Sequence, residues 1–167
     1  LHAAQVATDE AMQHAPGAIR AYTADLAQAR ADRDSLRGSF AAAAAAGQVR
    51  AHFQPQVSTD SGAVSGIEAL ARWHHPERGL LMPGAFLPAI EGTELMAVLG
   101  ETMLIQALDA LQEWDQAGFR VPSVSVNFSQ HELADPELPE RLKWHLDCHG
   151  LAPGRLTLEV LESVVAK

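Results

Sequence analysis

From Ala51 to the C-terminus, short apolar runs alternate with stretches in which apolar residues recur at helical spacing. Such alternation is typical of βα units, in which a helix crosses over the sheet and returns the chain to a parallel strand. The pattern therefore predicts an α/β fold, either a doubly wound sheet or a barrel. Periodicity alone does not distinguish these two architectures.

The apolar runs predict strands, and the helical repeats between them predict helices. Strands are expected over residues 51–57, 63–73, 124–128 and 156–161, and helices over residues 99–114 and 135–149. Gly118 and Gly150 are expected to lie just past the ends of these two helices. Ser129 followed three residues later by Glu132 predicts a capping box directly after the third strand.

Residues 1–47 form a helical linker segment in this interpretation. Alanine is the best helix former, the run from Ala41 to Ala46 is uninterrupted, and Gly47 is suited to follow a helix end. A heptad-like stripe runs through the segment, formed by Ile19, Tyr22, Leu26, Ala29, Arg33, Leu36 and Phe40. The stripe predicts either a dimerising helix or a single amphipathic helix laid on the next domain.

Charge and composition exclude several classes of protein. The formal net charge of −9 repels phosphate backbones, so a nucleic-acid polymer is not an expected partner. Cys148 is the single cysteine, and no apolar run reaches the length of a membrane span, which favours a cytoplasmic protein. The chain begins with Leu1 and ends directly after a strand-like run, so we expect it to be a piece of a longer polypeptide.

Three polar side chains lie on or at the ends of predicted strands, namely Glu68, Asn127 and Glu159. Oxygen ligands that come from different strands suit magnesium or manganese. The alternative is that each is an ordinary solvated residue at a strand end. Glu68 and Arg72 should face the same side of one strand, with their Cα atoms about 13 Å apart. One of the two side chains could then hold a metal while the other reaches a phosphate.

Two groups of histidines offer weaker signals. His145, Cys148 and His149 are spaced as helical zinc ligands can be, but no fourth ligand is identifiable. The alternative is a helix end whose histidines complement the helix dipole and whose cysteine packs as a small apolar residue. His74 and His75 fall in a predicted loop, and structural or solvent-facing roles are expected for them.

Several segments, in this order, resemble the opening of EAL domains. They read F-Q-P-Q-V at 53–57, G-I-E-A-L-A-R-W at 66–73, H-P-E-R-G at 75–79, P-G-A-F-L-P at 83–88, V-N-F-S at 126–129 and L-E-V-L-E-S at 158–163. The signature triplet Glu68-Ala69-Leu70 is unaltered. The resemblance implies a TIM-like barrel in which an early strand departs from the all-parallel arrangement. It also implies hydrolysis of cyclic di-GMP to linear pGpG with two Mg²⁺ or Mn²⁺ ions.

The same resemblance implies roles for individual residues. Glu68, Asn127 and Glu159 resemble metal ligands, with Glu68 and Glu159 catalytic. Gln54 and Arg72 resemble substrate contacts, and Glu162 resembles the glutamate that braces a loop over the site. The family's later aspartate pair, lysine, glutamate and glutamine have no counterpart before Lys167. Residues 48–167 are therefore expected to be about the first half of the domain and inactive alone.

The segment before Val49 resembles the closing helix of a GGDEF domain and the linker that follows it. This implies an upstream GGDEF or sensor domain in the same polypeptide, and a homodimer is expected. A second hypothesis within the family is a non-catalytic EAL module that senses cyclic di-GMP or regulates a protein partner.

Overall fold

A computed structural model of the chain describes residues 24–160. The chain divides into two compact units, residues 1–39 and residues 40–167. Helix α1 (Ala24–Ala45) begins in the first unit, whose described residues are all helical. It ends just before Gly47, which has a left-handed φ of 69°, as the sequence predicts. Ile19 and Tyr22 of the heptad-like stripe lie outside the described residues, so the coiled coil stays a prediction.

The described part of the second unit contains one sheet and the helices that cover it. Its strands are β1 (Val49–Val57), β2 (Val64–His75), β3 (Gly79–Leu81), β4 (Val124–Phe128) and β5 (Leu156–Val160). Its helices after α1 are α2 (Pro83–Ile90), α3 (Leu95–Gln116), α4 (Gln130–Leu133) and α5 (Leu138–His149), and a 3₁₀ turn at Pro153–Arg155 precedes β5.

The strands lie in the order β1-β2-β4-β5, and β3 pairs with the last residues of β2. β1 runs antiparallel to β2, whereas β2, β4 and β5 are parallel to one another. The parallel pairs are joined by crossovers that contain α3 and α5, which is the βα arrangement predicted from the alternating pattern. An antiparallel strand beside a parallel set also agrees with the departure from an all-parallel barrel that the resemblance implies.

One face of the sheet forms the core, because its strands alternate apolar and polar residues. Val124, Val126 and Phe128 of β4 are buried on this face, and the apolar side of α3 is buried at Leu104, Leu108 and Leu111. Among the described residues, α3 is the one helix with the length and composition to cross a membrane. Its burial among core residues explains that composition equally well.

Aromatic residues close the core near the end of β2. The fully buried ring of Phe40 lies 5.3 Å from that of Trp73 in an edge-on contact and 5.9 Å from that of Phe86. These three rings bring the last turns of α1, the strand β2 and the helix α2 together. Because each ring is wholly buried, truncating one to alanine would cost about 3–5 kcal/mol of stability.

The outer edge of β1 is satisfied by a side chain rather than by another strand among the described residues. Gln106 of α3 accepts a hydrogen bond from the Ala51 N–H and donates one to the Val49 carbonyl, both at 2.9 Å. A free strand edge is a template for unwanted pairing. The amide of Gln106 therefore fixes β1 to α3 and covers part of this edge.

Three features of the fold differ from the prediction. β3 and α2 are absent from it, because β3 has only three residues and α2 carries an internal proline, Pro88. His74 and His75 were expected in a loop but belong to β2. The physical reason is their pairing with β3, in which His74 lies opposite Leu80 and His75 opposite Gly79.

A bidentate ion pair joins the end of α3 to the turn before β5. Arg155 donates two hydrogen bonds to Asp115, each at 2.9 Å, and another to the Val121 carbonyl. The hydrogen bonds from Arg155 lower the pKa of Asp115 below its ordinary value of 3.8, and they outweigh the opposing effect of desolvation. The contribution of the pair to stability is therefore present above that ordinary value and is lost as the pH falls through the lower folded-state pKa.

We expect Asp115→Asn to unfold at a temperature lower by a few degrees at most near pH 7, because exposed ion pairs are weak. The unfolding midpoints of the wild type and Asp115→Asn, measured by circular dichroism, should converge as the pH falls below the ordinary carboxyl pKa of 3.8. A difference that stayed constant to the most acidic pH at which the wild type remains folded would contradict this assignment.

Candidate metal and substrate site

The face of the sheet opposite the core is polar, and it carries the residues singled out in the sequence. Cα partners in neighbouring strands present their side chains on the same face. Gln54 of β1 lies opposite Glu68 of β2, and Asn127 of β4 lies opposite Glu159 of β5. Glu68 pairs with Ser125, two residues before Asn127, so all four side chains share one face. We call this surface the polar face.

Glu68 and Asn127 are in direct contact across the parallel strands. Asn127 Nδ2 donates a hydrogen bond of 3.0 Å to Glu68 Oε1, and both side chains are half-buried. Asn127 is the next-to-last residue of β4, so its amide lies near the carboxyl end of the parallel set. Carboxyl ends of parallel strands are the usual place for ligand sites in α/β folds.

Glu159 is held from a more distant strand. Gln56 Nε2 of β1 donates a hydrogen bond of 3.3 Å to Glu159 Oε1 of β5. Gln56 was not among the residues predicted for the site. A signal was present, since Gln56 stands two residues after Gln54 on the same strand and therefore faces the same side.

Gln54 and Arg72 flank these carboxylates. Gln54 is exposed on β1 beside Glu68, and the half-buried Arg72 lies four residues beyond Glu68 on β2. Arg72 Nη1 donates a hydrogen bond of 2.8 Å to the Ala71 carbonyl. Register thus places both predicted substrate contacts on the polar face. Glu162 lies outside the described residues.

A pair of histidines extends the polar face beyond Arg72. His52 Nε2 and His74 Nε2 are 3.3 Å apart, within hydrogen-bonding distance. Desolvation lowers the pKa of His52, and the positive charge of Arg72 and the neighbouring His74 lower it further. The charge of Arg72 thus disfavours the protonated form of His52 at this end of the polar face, while carboxylates occupy the other end.

The turn after β4 is fixed by a buried carboxylate. Ser129 and Glu132 form the predicted capping box, in which Glu132 Oε2 accepts from the Ser129 N–H at 2.9 Å and from its hydroxyl. Glu132 is only 6% exposed, and it lies against α3 at Gly100. A Cβ atom at Gly100 would collide with Glu132 Oε1. This arrangement holds the end of β4 that carries Asn127.

The histidines of α5 make structural contacts. His145 is buried and its Nε2 lies 2.7 Å from Glu101 Oε1, while His149 Nε2 lies 3.1 Å from Asp109 Oδ1. Cys148 is exposed. Over residues 24–160, no three His, Cys, Asp or Glu side chains gather into a metal-binding group. The histidine contacts agree with the helix-end alternative rather than with zinc, but the exposed Cys148 does not pack as a small apolar residue as that alternative expected.

The polar face nevertheless has the donors that a hard cation requires. Glu68 and Glu159 supply carboxylates, and Asn127 supplies an amide whose carbonyl oxygen is a suitable ligand. Each carboxylate already has one oxygen in a hydrogen bond to a side-chain amide. Such bonds orient ligating carboxylates in metal sites. The residues present therefore fit Mg²⁺ or Mn²⁺, although they form only part of a coordination shell.

A groove lies on the other side of the sheet. It has a volume of about 930 Å³ and its walls include Ala41, Val98, Ile105 and Phe128, with Glu101 and Arg141 among its polar residues. Its walls are mostly apolar and come from α1, α3 and the segment after β4. It is therefore separate from the polar face.

Comparison with known proteins identifies the family to which this fold belongs. The family model "EAL domain" matches residues 35–167. The bifunctional diguanylate cyclase/cyclic di-GMP phosphodiesterase MucR of Pseudomonas aeruginosa is 38% identical over 120 residues, which are 72% of this chain and 18% of MucR. The oxygen sensor protein DosP of Escherichia coli is 32% identical over 118 residues, 71% of this chain and 15% of DosP.

Comparison with solved structures also matches this chain to EAL proteins. The structure of PaMucR phosphodiesterase in complex with c-di-GMP matches with a TM-score of 0.74 and 35% identity, covering 80% of this chain and 54% of that one. The FimX EAL domain of Pseudomonas aeruginosa bound to c-di-GMP matches with a TM-score of 0.68 at 23% identity, covering 78% and 51%. At that identity the FimX likeness concerns the fold alone.

The chain belongs to the EAL domain family. Its α/β sheet is part of a TIM-like barrel of the EAL type, which confirms the barrel over the doubly wound alternative. The chain spans less than a fifth of the two curated relatives and about half of the MucR structure.

Proposed function

We propose that the complete domain to which this chain belongs hydrolyses cyclic di-GMP to linear pGpG, using Mg²⁺ or Mn²⁺. The observation that carries the proposal is the alignment of Glu68, Asn127 and Glu159 on one face of adjacent parallel strands, with Glu68 and Asn127 in contact. The likeness to MucR, which is named as a cyclic di-GMP phosphodiesterase, supports the same activity.

In this proposal, Glu68, Asn127 and Glu159 hold the divalent cations through hard oxygen donors. When bound, such cations lower the pKa of a coordinated water and stabilise the attacking and leaving oxygens of an in-line displacement. In the net reaction, water oxygen forms a bond to phosphorus, the phosphorus–ribose oxygen bond breaks, and the released ribose hydroxyl gains a proton. One ring phosphodiester thus becomes a terminal phosphate.

Substrate placement falls to the other polar residues of the site. Arg72 carries a positive charge on the same face as Glu68, which suits a phosphodiester held near the carboxylates. The amide of Gln54, opposite Glu68, can donate to a phosphate oxygen or accept from a ribose hydroxyl. Glu162 is proposed to brace a loop over the site, as the family resemblance implies.

The proposal concerns the complete domain, because this chain spans 54% of the matched MucR structure. We expect residues 1–167 alone to hydrolyse nothing. A homodimer, an upstream sensor or GGDEF domain and a cytoplasmic location are proposed with it. The bifunctional name of MucR supports a diguanylate cyclase partner domain.

Turnover of cyclic di-GMP by the full-length protein tests this proposal. We expect pGpG to form with Mg²⁺ or Mn²⁺, to stop after chelation and to resume when the cation is restored. Binding of cyclic di-GMP without turnover under all these conditions would overturn the enzyme proposal. It would favour the non-catalytic sensor instead.

A further inference from the structure

Gln56 and Glu159 are 103 residues apart in sequence, farther than any other pair of side chains that the structure shows hydrogen-bonded within residues 24–160 of the polar face. Gln56 stands on β1 and its Nε2 reaches Glu159 Oε1 on β5 at 3.3 Å, although β2 and β4 lie between these strands in the sheet. Neighbouring strands are about 4.8 Å apart, so three such intervals exceed what two side chains span across a flat sheet. The contact therefore requires the sheet to curve around the polar face, as a barrel wall does.

The nearer of the two intervening strands, β2, leaves room for this reach. Gln56 lies opposite Gly66 of β2, on the same face. A Cβ atom at Gly66 would lie only 3.0 Å from Gln56 Oε1 and 3.2 Å from Ser123 Oγ. An alanine Cβ at residue 66 would therefore require the Gln56 amide or the Ser123 hydroxyl to shift by a few tenths of an ångström. Gly66 thus permits the close approach that lets Gln56 cross β2.

We propose that Gln56 is a positioning residue, which holds the Glu159 carboxylate in the orientation that binds the divalent cation. This inference rests on the proposed function, in which Glu159 is a metal ligand. Glu159 lies near the end of β5 and is half-buried. Packing against its own strand therefore leaves more than one rotamer open to its carboxylate. The hydrogen bond from Gln56 on β1 restricts the carboxylate to one orientation before the cation binds. The conformational entropy lost on cation binding is then smaller.

A chance surface hydrogen bond is the competing explanation, and the two differ in a measurable way. If Gln56 acts through Glu159, its removal weakens cation binding only while Glu159 can bind. Loss of a partner that orients a ligand typically reduces metal affinity by about 10–100-fold. A chance contact would change stability slightly and affinity not at all.

The test is the dissociation constant for Mn²⁺ of the full-length protein, measured by isothermal titration calorimetry. Gln56→Met keeps the length of the side chain and removes the donor. We expect it to bind Mn²⁺ about tenfold more weakly than the wild type. Gln112→Met is the matched control, since it removes an amide hydrogen bond to the His149 carbonyl away from the polar face, and it should bind as the wild type does.

A double substitution separates positioning from general damage. We expect Gln56→Met combined with Glu159→Gln to bind Mn²⁺ no more weakly than Glu159→Gln alone, because the two residues act as one unit. Gly66→Ala should reproduce the loss seen in Gln56→Met, which keeps the inference testable if that variant folds poorly. Wild-type affinity in both variants, or a fully additive loss in the double variant, would overturn it.

The same titrations distinguish a failure of this inference from a failure of the proposed function. If Glu159→Gln and Glu68→Gln both bind Mn²⁺ as the wild type does, the cation site itself is wrong. If those two variants lose affinity while Gln56→Met and Gly66→Ala retain it, only the positioning role of Gln56 is overturned.

Discussion

Replacing Glu68 by glutamine in the full-length protein should reduce the rate of cyclic di-GMP hydrolysis by at least about two orders of magnitude. Loss of a residue that only orients a metal ligand typically reduces metal affinity or activity by about 10–100-fold. Glu68 is proposed to be a metal ligand itself, so its loss should cost at least as much. The substitution preserves the shape of the side chain but removes the negative charge that attracts the cation. The measurement is kcat/KM at saturating Mg²⁺, with product followed by chromatography.

Glu113→Gln provides the matched control for this experiment. Glu113 is exposed on α3, away from the polar face, and its substitution changes the net charge by the same amount. We expect its rate to equal that of the wild type. If Glu68→Gln kept the wild-type rate while remaining folded, the assignment of Glu68 to the reaction would be wrong.

Gly100→Ala should destabilise the domain by about 2 kcal/mol, although alanine is the better helix former. The added Cβ collides with Glu132 Oε1, and that carboxylate is buried and committed to the capping box with Ser129. It can move only by giving up those hydrogen bonds. For a domain of this size the midpoint of thermal unfolding should fall by about 4–8 °C.

Two further variants show whether the collision is the cause. Nothing lies within 4 Å of the place that a Cβ atom would take at Gly38 of α1, so Gly38→Ala should leave stability unchanged or raise it by about 0.5–1 kcal/mol. Gly100→Ala combined with Glu132→Ala should cost less than the sum of the single changes, since the second makes room for the first. Full additivity would contradict the proposed contact.

Local sequence signals predicted the elements that depend on local chemistry. β4 was predicted over its observed residues, Ser129 and Glu132 form the predicted capping box, and Gly150 ends α5 in a left-handed conformation. Each of these depends on residues within a few positions of one another. β3 and the true end of β2 depend instead on pairing between segments, which a local pattern does not contain.

The site, like the fold, combines features that local sequence predicts with contacts that depend on pairing between distant segments. Alternation along β2 and β4 indicated that Glu68 and Asn127 would lie on sheet faces, but their contact depends on the register between two strands that are far apart in sequence. Gln56 was missed for this reason, because its partner Glu159 is 103 residues away. The roles of these residues came from the family resemblance rather than from periodicity, and they remain proposals.

The most direct test of the central proposal is anomalous X-ray scattering from Mn²⁺ in crystals of the full-length protein. We predict a manganese peak on the polar face, bonded to a carboxylate oxygen of Glu68 or Glu159 and to the Asn127 side chain. A protein that binds Mn²⁺ with all its anomalous peaks away from these three residues would contradict the account.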